Sequence, residues 1–154
     1  MTTVSDRYIK GPSVELERVF KAPVERVWAM WTTRAGLEKW YWPVPLVGRV
    51  VHLDVRAGGS YEIAAEGLEH TSRGTYTEVK ERELLVMMAR IDFLSEVEAY
   101  DRTDVVEFHP LPGNAGTKML FTSTPMHAAV WQERSTKGFW SSLDKLERAL
   151  AEEA

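Results

Sequence analysis

The chain has 154 residues, the usual length of one domain, and a single domain over residues 1–154 is expected. Its 44% hydrophobic and 27% charged residues are typical of a globular protein, and the absence of cysteine excludes disulfides and thiolate metal sites. A formal net charge of −4 gives no general attraction to phosphate backbones, so nucleic acid is not an expected partner.

The first residues do not have the pattern of a targeting signal. Asp6, Arg7 and Lys10 leave no apolar core for a signal peptide. No apolar run elsewhere approaches the roughly 20 residues that span a bilayer. We expect a cytoplasmic protein with no membrane span, in which residues 1–12 form a flexible N-terminal segment.

The first elements are predicted to be a strand and two short helices. Residues 14–20 alternate between apolar and charged side chains, as a half-buried strand does. Pro23 suits the first turn of a helix, which we place over 24–32. Thr33 can cap a second helix that runs from residue 34 to about residue 40.

The second helix leads into a loop rich in aromatic residues and proline. Trp40, Tyr41 and Trp42 are followed by Pro43 and Pro45, which cannot continue a helix. Short connections between the segments that follow require antiparallel pairing. These segments are predicted strands over 47–55, 60–65, 74–80, 84–93, 100–109 and 117–123.

The last element is predicted to be one long helix. Thr124 and Pro125 resemble an N-cap followed by a proline in the first turn, and the pattern continues to about Leu150. A helix of that length measures on the order of 40 Å, so it must be a central element of the core.

The two halves of this helix differ along the stripe predicted to face the sheet. The C-terminal half carries Phe139, Leu143, Leu146 and Leu150, which are large and apolar. Towards the N-terminus the same stripe carries small or polar side chains. These are Ala128, Gln132, Ser135 and Thr136. Either the sheet supplies the missing bulk there, or a space remains.

Several segments resemble one family along most of the chain. Arg-Val-Phe-Lys-Ala-Pro-Val-Glu-Arg-Val-Trp at 18–28, Asp-Val-Arg-Ala-Gly-Gly at 54–59, Gly-Thr-Tyr-Thr-Glu-Val at 74–79 and the helix pattern at 138–146 are similar to motifs of the START-like, birch-pollen-allergen-like superfamily (SRPBCC). Within that superfamily they resemble the homologues of the activator of heat-shock-protein-90 ATPase (AHSA-type).

The resemblance implies an α+β helix-grip fold. In that fold, a curved antiparallel sheet of about seven strands surrounds the long C-terminal helix, and two short helices follow the first strand. The fold also implies a cavity between the sheet and the long helix. It does not imply one chemistry, because fold alone does not determine function.

No catalytic motif is identifiable, so whether the chain is an enzyme stays open. His52 and Asp54 are two apart on a predicted strand, but no third ligand is evident, and we expect neither a metal nor a cofactor. The other histidines, at His70, His109 and His127, belong to no nucleophile motif. Three carboxylates could act as an acid or base inside a cavity, but solvated positions fit them better: Glu62, Glu66 and Asp92.

We expect the chain to bind an apolar or aromatic small molecule between the sheet and the last helix, as a monomer or weak homodimer. One alternative is a cyclase-, aromatase- or lyase-like enzyme that uses the same cavity. Another is a co-chaperone-like module in a stress response, which would contact a chaperone or other protein through the outer face of the sheet or the aromatic loop. The expected ligand-binding residues are Trp40, Trp42, Gln132, Ser135, Thr136 and Phe139.

Overall fold

The structure, a computed structural model, describes residues 3–152. In this part of the chain seven strands form one antiparallel sheet in the order β1-β7-β6-β5-β4-β3-β2. The strands are β1 Val14–Phe20, β2 Gly48–Leu53, β3 Ser60–Ala65, β4 Ser72–Lys80, β5 Leu84–Ile91, β6 Tyr100–Pro110 and β7 Thr117–Ser123; the helices are α1 Val24–Thr32, α2 Arg34–Trp40 and α3 Ala129–Glu152. The predicted α+β helix-grip architecture is confirmed.

Local signals in the sequence account for the first elements. The Thr33 side chain accepts a hydrogen bond from the Gly36 N–H at 3.0 Å, which caps α2 as predicted. Arg18 interrupts the apolar side of β1 because it faces α3, where its guanidinium lies 2.8 Å from an Asp144 carboxylate oxygen. This ion pair ties the first strand to the last helix.

The last helix begins at Ala129, so the predicted start at Thr124 is wrong and lies five residues too early. Thr124 is held by β6 instead. Its N–H donates to the Thr103 carbonyl at 3.1 Å, and its hydroxyl accepts from the Thr103 N–H at 3.1 Å. These bonds extend the sheet and delay the helix, although the local sequence favours an N-cap.

The C-terminal half of α3 fills the core. Leu143 and Leu146 are completely buried, at 0% exposure, which confirms that part of the predicted stripe. Phe139 is only half-buried, and its ring lies 4.4 Å from the Phe121 ring of β7, centroid to centroid. The other large side chains that are fully buried with them include Phe20, Val27, Leu37, Leu85 and Met119.

The N-terminal segment lies against the outer face of the sheet, the face turned away from α3. Ile9 is buried there against Leu84, Val86 and Val105. The Tyr8 hydroxyl donates to the Glu78 carboxylate. The flexibility of residues 1–12 stays a prediction, and residues 1 and 2 lie outside the described residues. None of the helices in the described part of the chain is long and apolar enough to cross a membrane.

Truncating Leu143 to alanine should destabilise the fold by about 2 to 5 kcal/mol, because a fully buried side chain leaves a cavity. Val130→Ala is the matched control, since Val130 is on the same helix and is 52% exposed. The control should change the free energy of unfolding by less than about 0.5 kcal/mol. Urea unfolding measures both, and equal losses would contradict this assignment of the core.

Candidate ligand-binding cavity

A cavity of about 330 Å³ lies between the inner face of the sheet and the N-terminal half of α3. Aromatic and aliphatic side chains from the sheet, from all three helices and from the loop after α2 form most of its wall. They include Leu16, Trp31, Leu37, Tyr41, Tyr61, Ile63, Tyr76, Met87, Phe121 and Trp131.

The cavity exists because α3 changes composition along its length. Leu143 and Leu146 bring the helix against the sheet at one end, where no space is left. Ser135 and Thr136 lie over the cavity and are too small to reach across it. Phe139 marks the boundary, with its ring against Phe121.

All six residues predicted from the sequence line this cavity. Trp40 forms its floor, because it is almost fully buried and its indole N–H donates to the Met30 carbonyl at 2.7 Å. Trp42 is half-buried, and its indole N–H donates to the Ile63 carbonyl at 3.3 Å. The aromatic loop is therefore folded inwards and covers part of the cavity.

Gln132 supports the start of α3 as well as lining the cavity. Its side-chain oxygen accepts from the Met126 N–H at 2.8 Å, and its amide nitrogen donates to the Thr136 hydroxyl at 3.0 Å. Both polar ends of the amide are thus used within the protein. The sequence stripe located Gln132 but did not indicate this structural role.

The sequence analysis missed the main polar feature of the cavity, an ion pair on β6. Arg102 donates to both carboxylate oxygens of Asp104, at 3.0 and 3.4 Å. The third guanidinium nitrogen of Arg102, Nη1, donates to the Ser135 hydroxyl at 3.3 Å and to the Met126 sulfur at 3.4 Å. Sheet and helix are therefore linked across the cavity by one side chain.

Burial controls the electrostatics of this pair, since the side chains of Arg102 and Asp104 are 16% and 8% exposed. Removal from water raises the pKa of the Asp104 carboxyl, and Arg102 offsets only part of that effect. For Arg102, desolvation is the largest single effect and lowers the guanidinium pKa. The charge and hydrogen bond of Asp104, together with Tyr41 and Tyr61, outweigh it, so the pKa of Arg102 is raised and the group stays charged.

Three tyrosines give the wall further polar atoms. The Tyr41 hydroxyl is hydrogen-bonded to the Ser72 hydroxyl at 2.6 Å. The Tyr61 and Tyr76 rings lie 5.4 Å apart. Desolvation raises the pKa of all three phenols, so they are neutral groups at physiological pH.

The wall also contains charged residues whose partners lie outside it. Arg73 pairs with Asp92, and Arg90 lies 3.3 Å from Asp101. Arg134 on α3 packs its guanidinium 4.9 Å from the Trp131 ring, and residues 3–152 provide no carboxylate within ion-pair distance of it.

Among the remaining candidates from the sequence, His70 also lines the cavity, where its ring stacks on Phe93 at 4.2 Å between centroids. The others lie elsewhere or are already hydrogen-bonded. His52 is hydrogen-bonded to the Ser60 hydroxyl at 2.9 Å, and Glu62 accepts from Thr71 at 2.8 Å. Glu66 is exposed. Among the described residues, no three histidine, aspartate or glutamate side chains cluster as metal ligands.

A curved antiparallel sheet, a long C-terminal helix and an aromatic cavity between them define a START-like helix-grip protein. Residues 21–151 match the family described as Activator of Hsp90 ATPase homolog 1-like protein. The chain belongs to that family, as the sequence motifs indicated. None of the curated proteins matches it.

Solved structures with this fold come from several bacteria. A protein from Chromobacterium violaceum is 27% identical, with a TM-score of 0.78 over 90% of this chain and 96% of that chain. A protein from Staphylococcus epidermidis is 23% identical, with a TM-score of 0.74 over 92% and 91%. The AHSA1 protein from Silicibacter pomeroyi is 19% identical, with a TM-score of 0.74 over 93% and 100%. The last two support the fold alone.

Replacing Arg102 with methionine should destabilise the protein by about 3 kcal/mol or more, because it leaves the buried Asp104 carboxylate without its counter-charge. Adding Asp104→Asn should recover part of the loss. Urea unfolding of wild type, Arg102→Met and the double variant measures this coupling. Equal losses in the single and double variants would contradict it.

The loss in Arg102→Met should also depend on pH. Without Arg102, burial alone acts on Asp104, so its folded-state pKa lies above its unfolded value of about 4. The folded state then binds the proton more tightly than the unfolded state. The free energy of unfolding should therefore fall as the pH rises from about 4 towards 7, more steeply than in wild type.

Proposed function

We propose that this protein binds an apolar or aromatic small molecule in the cavity under the N-terminal half of α3. The observation that carries the proposal is the composition of the wall, which is mostly aromatic and aliphatic and contains one buried ion pair, Arg102 and Asp104. Small-molecule sites are typically concave and apolar, with a few polar groups that orient the ligand. The volume of about 330 Å³ suits a small aromatic or short-chain ligand.

An enzyme of cyclase, aromatase or lyase type is the second candidate, and one observation favours it. Asp104 is a buried carboxyl with a raised pKa beside an apolar cavity, which is the environment of many general acids and bases. Its bidentate pairing with Arg102 argues for a structural role first. Conversion of a loaded ligand to a product of different mass, lost in Asp104→Asn, would favour the enzyme.

The third candidate is a co-chaperone-like module, which the family name suggests. The surfaces expected to serve it are partly used within the chain. Ile9 covers Val86 and Val105 on the outer face. Trp40 at the end of α2 and Trp42 in the aromatic loop line the cavity. These contacts favour the cavity, rather than the outer face of the sheet or the aromatic loop, as the site of function.

A cavity-filling substitution tests the proposed site. Ser135→Trp should place an indole in the space, leave the protein folded, and weaken binding of the uncharged dye N-phenyl-1-naphthylamine by about tenfold or more. Ser135→Ala is the matched control, because it removes the hydroxyl without filling the cavity, and its dye affinity should stay close to that of wild type. Fluorescence titration and thermal melts measure both effects.

A wild type that binds no dye would contradict the proposal. So would a Ser135→Trp variant destabilised by about 1 to 3 kcal/mol or more, since overpacking has that cost where the interior is already dense. Either result would favour the third candidate, the co-chaperone-like module.

A further inference from the structure

Charge along the cavity wall is unbalanced in a protein whose net charge is −4. Four arginines line the cavity, and only one carboxylate does. The arginines are Arg73, Arg90, Arg102 and Arg134, and the carboxylate is Asp104. The wall thus presents a surplus of positive charge to anything that enters.

Ion pairs cancel most of this surplus but not all of it. Arg73 and Arg90 are neutralised from outside the cavity by Asp92 and Asp101. Arg102 is neutralised by Asp104. Arg134 has the Trp131 ring as its neighbour and no carboxylate partner in the part of the chain that the structure describes, so one positive charge remains.

Arg102 also has donors that are weakly used. Its Nε and Nη2 atoms point to Asp104, whereas Nη1 donates to the Ser135 hydroxyl at 3.3 Å and the Met126 sulfur at 3.4 Å. Both distances are long, and a thioether is a weak acceptor. An oxyanion that replaced the sulfur would form a shorter, charge-assisted hydrogen bond.

We propose that the ligand is an amphipathic anion, whose apolar body lies among the aromatic side chains and whose acidic group is held between Arg102 and Arg134. This inference rests on the proposed function, because it assigns a chemical class to the occupant of the same cavity. The acidic group forms an ion pair with Arg134 and accepts a hydrogen bond from Arg102 Nη1. Asp104 does not compete for Nη1, since its two oxygens are paired with Nε and Nη2 of Arg102.

Two dyes with one carbon skeleton test the charge separately from the cavity. Anilinonaphthalene-8-sulfonate carries a sulfonate, and N-phenyl-1-naphthylamine is the same skeleton without it. Wild type should bind the sulfonate dye about two- to fivefold more tightly, as expected for one partly exposed ion pair. Higher ionic strength should reduce the preference.

Charge-removing variants identify the arginines. Arg134→Gln should abolish the preference for the sulfonate dye and leave binding of the neutral dye unchanged. Arg148→Gln is the control, because it removes the same charge from an exposed position of α3 that does not line the cavity. The double variant Arg102→Gln with Asp104→Asn should also lower the preference, with melting curves to show that it is folded.

The outcomes separate the two proposals. Equal affinity for both dyes in wild type, or a preference that is undiminished in Arg134→Gln or in the double variant, overturns the anion assignment and leaves the apolar cavity in place. Failure of both dyes to bind overturns the inference together with the proposed function. Loss of the preference in Arg148→Gln to the same extent as in Arg134→Gln shows a general charge effect and also overturns the assignment.

Discussion

The structure depends on how the long helix α3 meets the curved sheet. Helix α3 is 24 residues long, and its contact with the sheet is close in the C-terminal half, where its buried leucines lie. Leu143 and Leu146 make that contact and are completely buried. Arg18 reinforces it by pairing with Asp144 from the first strand. In the N-terminal half, Ser135 and Thr136 are too small to fill the space, and the cavity lies beneath them.

Over the cavity, Ser135 and Thr136 are too small to hold α3 against the sheet. The Arg102–Asp104 ion pair provides a second link between sheet and helix there. Arg102 on β6 pairs with Asp104 and also donates to Ser135 on α3, so its guanidinium joins the two walls of the cavity. The same group can therefore serve stability and recognition. A ligand oxyanion that replaced the Met126 contact would strengthen this link, which couples binding to the stability of the N-terminal half of α3.

Much of the fold could be predicted from the sequence, because its signals are local. Alternation defined β1, and Thr33 defined the start of α2. The stripe on α3 located Ser135 and Thr136 beside the cavity. The start of α3 could not be found locally, since hydrogen bonds between Thr124 and Thr103 decide it. Arg102 and Asp104 were missed although they alternate with Val106 and Phe108 on one face of β6, because alternation alone does not tell which face turns inwards.

The central claim is that the cavity is occupied by a small molecule when the protein functions, and native mass spectrometry of protein purified from its own host tests it most directly. The account predicts a retained molecule of an acidic, largely apolar kind, present at up to one per chain and absent from the Ser135→Trp variant purified in the same way. A spectrum that shows only the bare chain, or the chain with an intact protein partner and no small molecule, would contradict it.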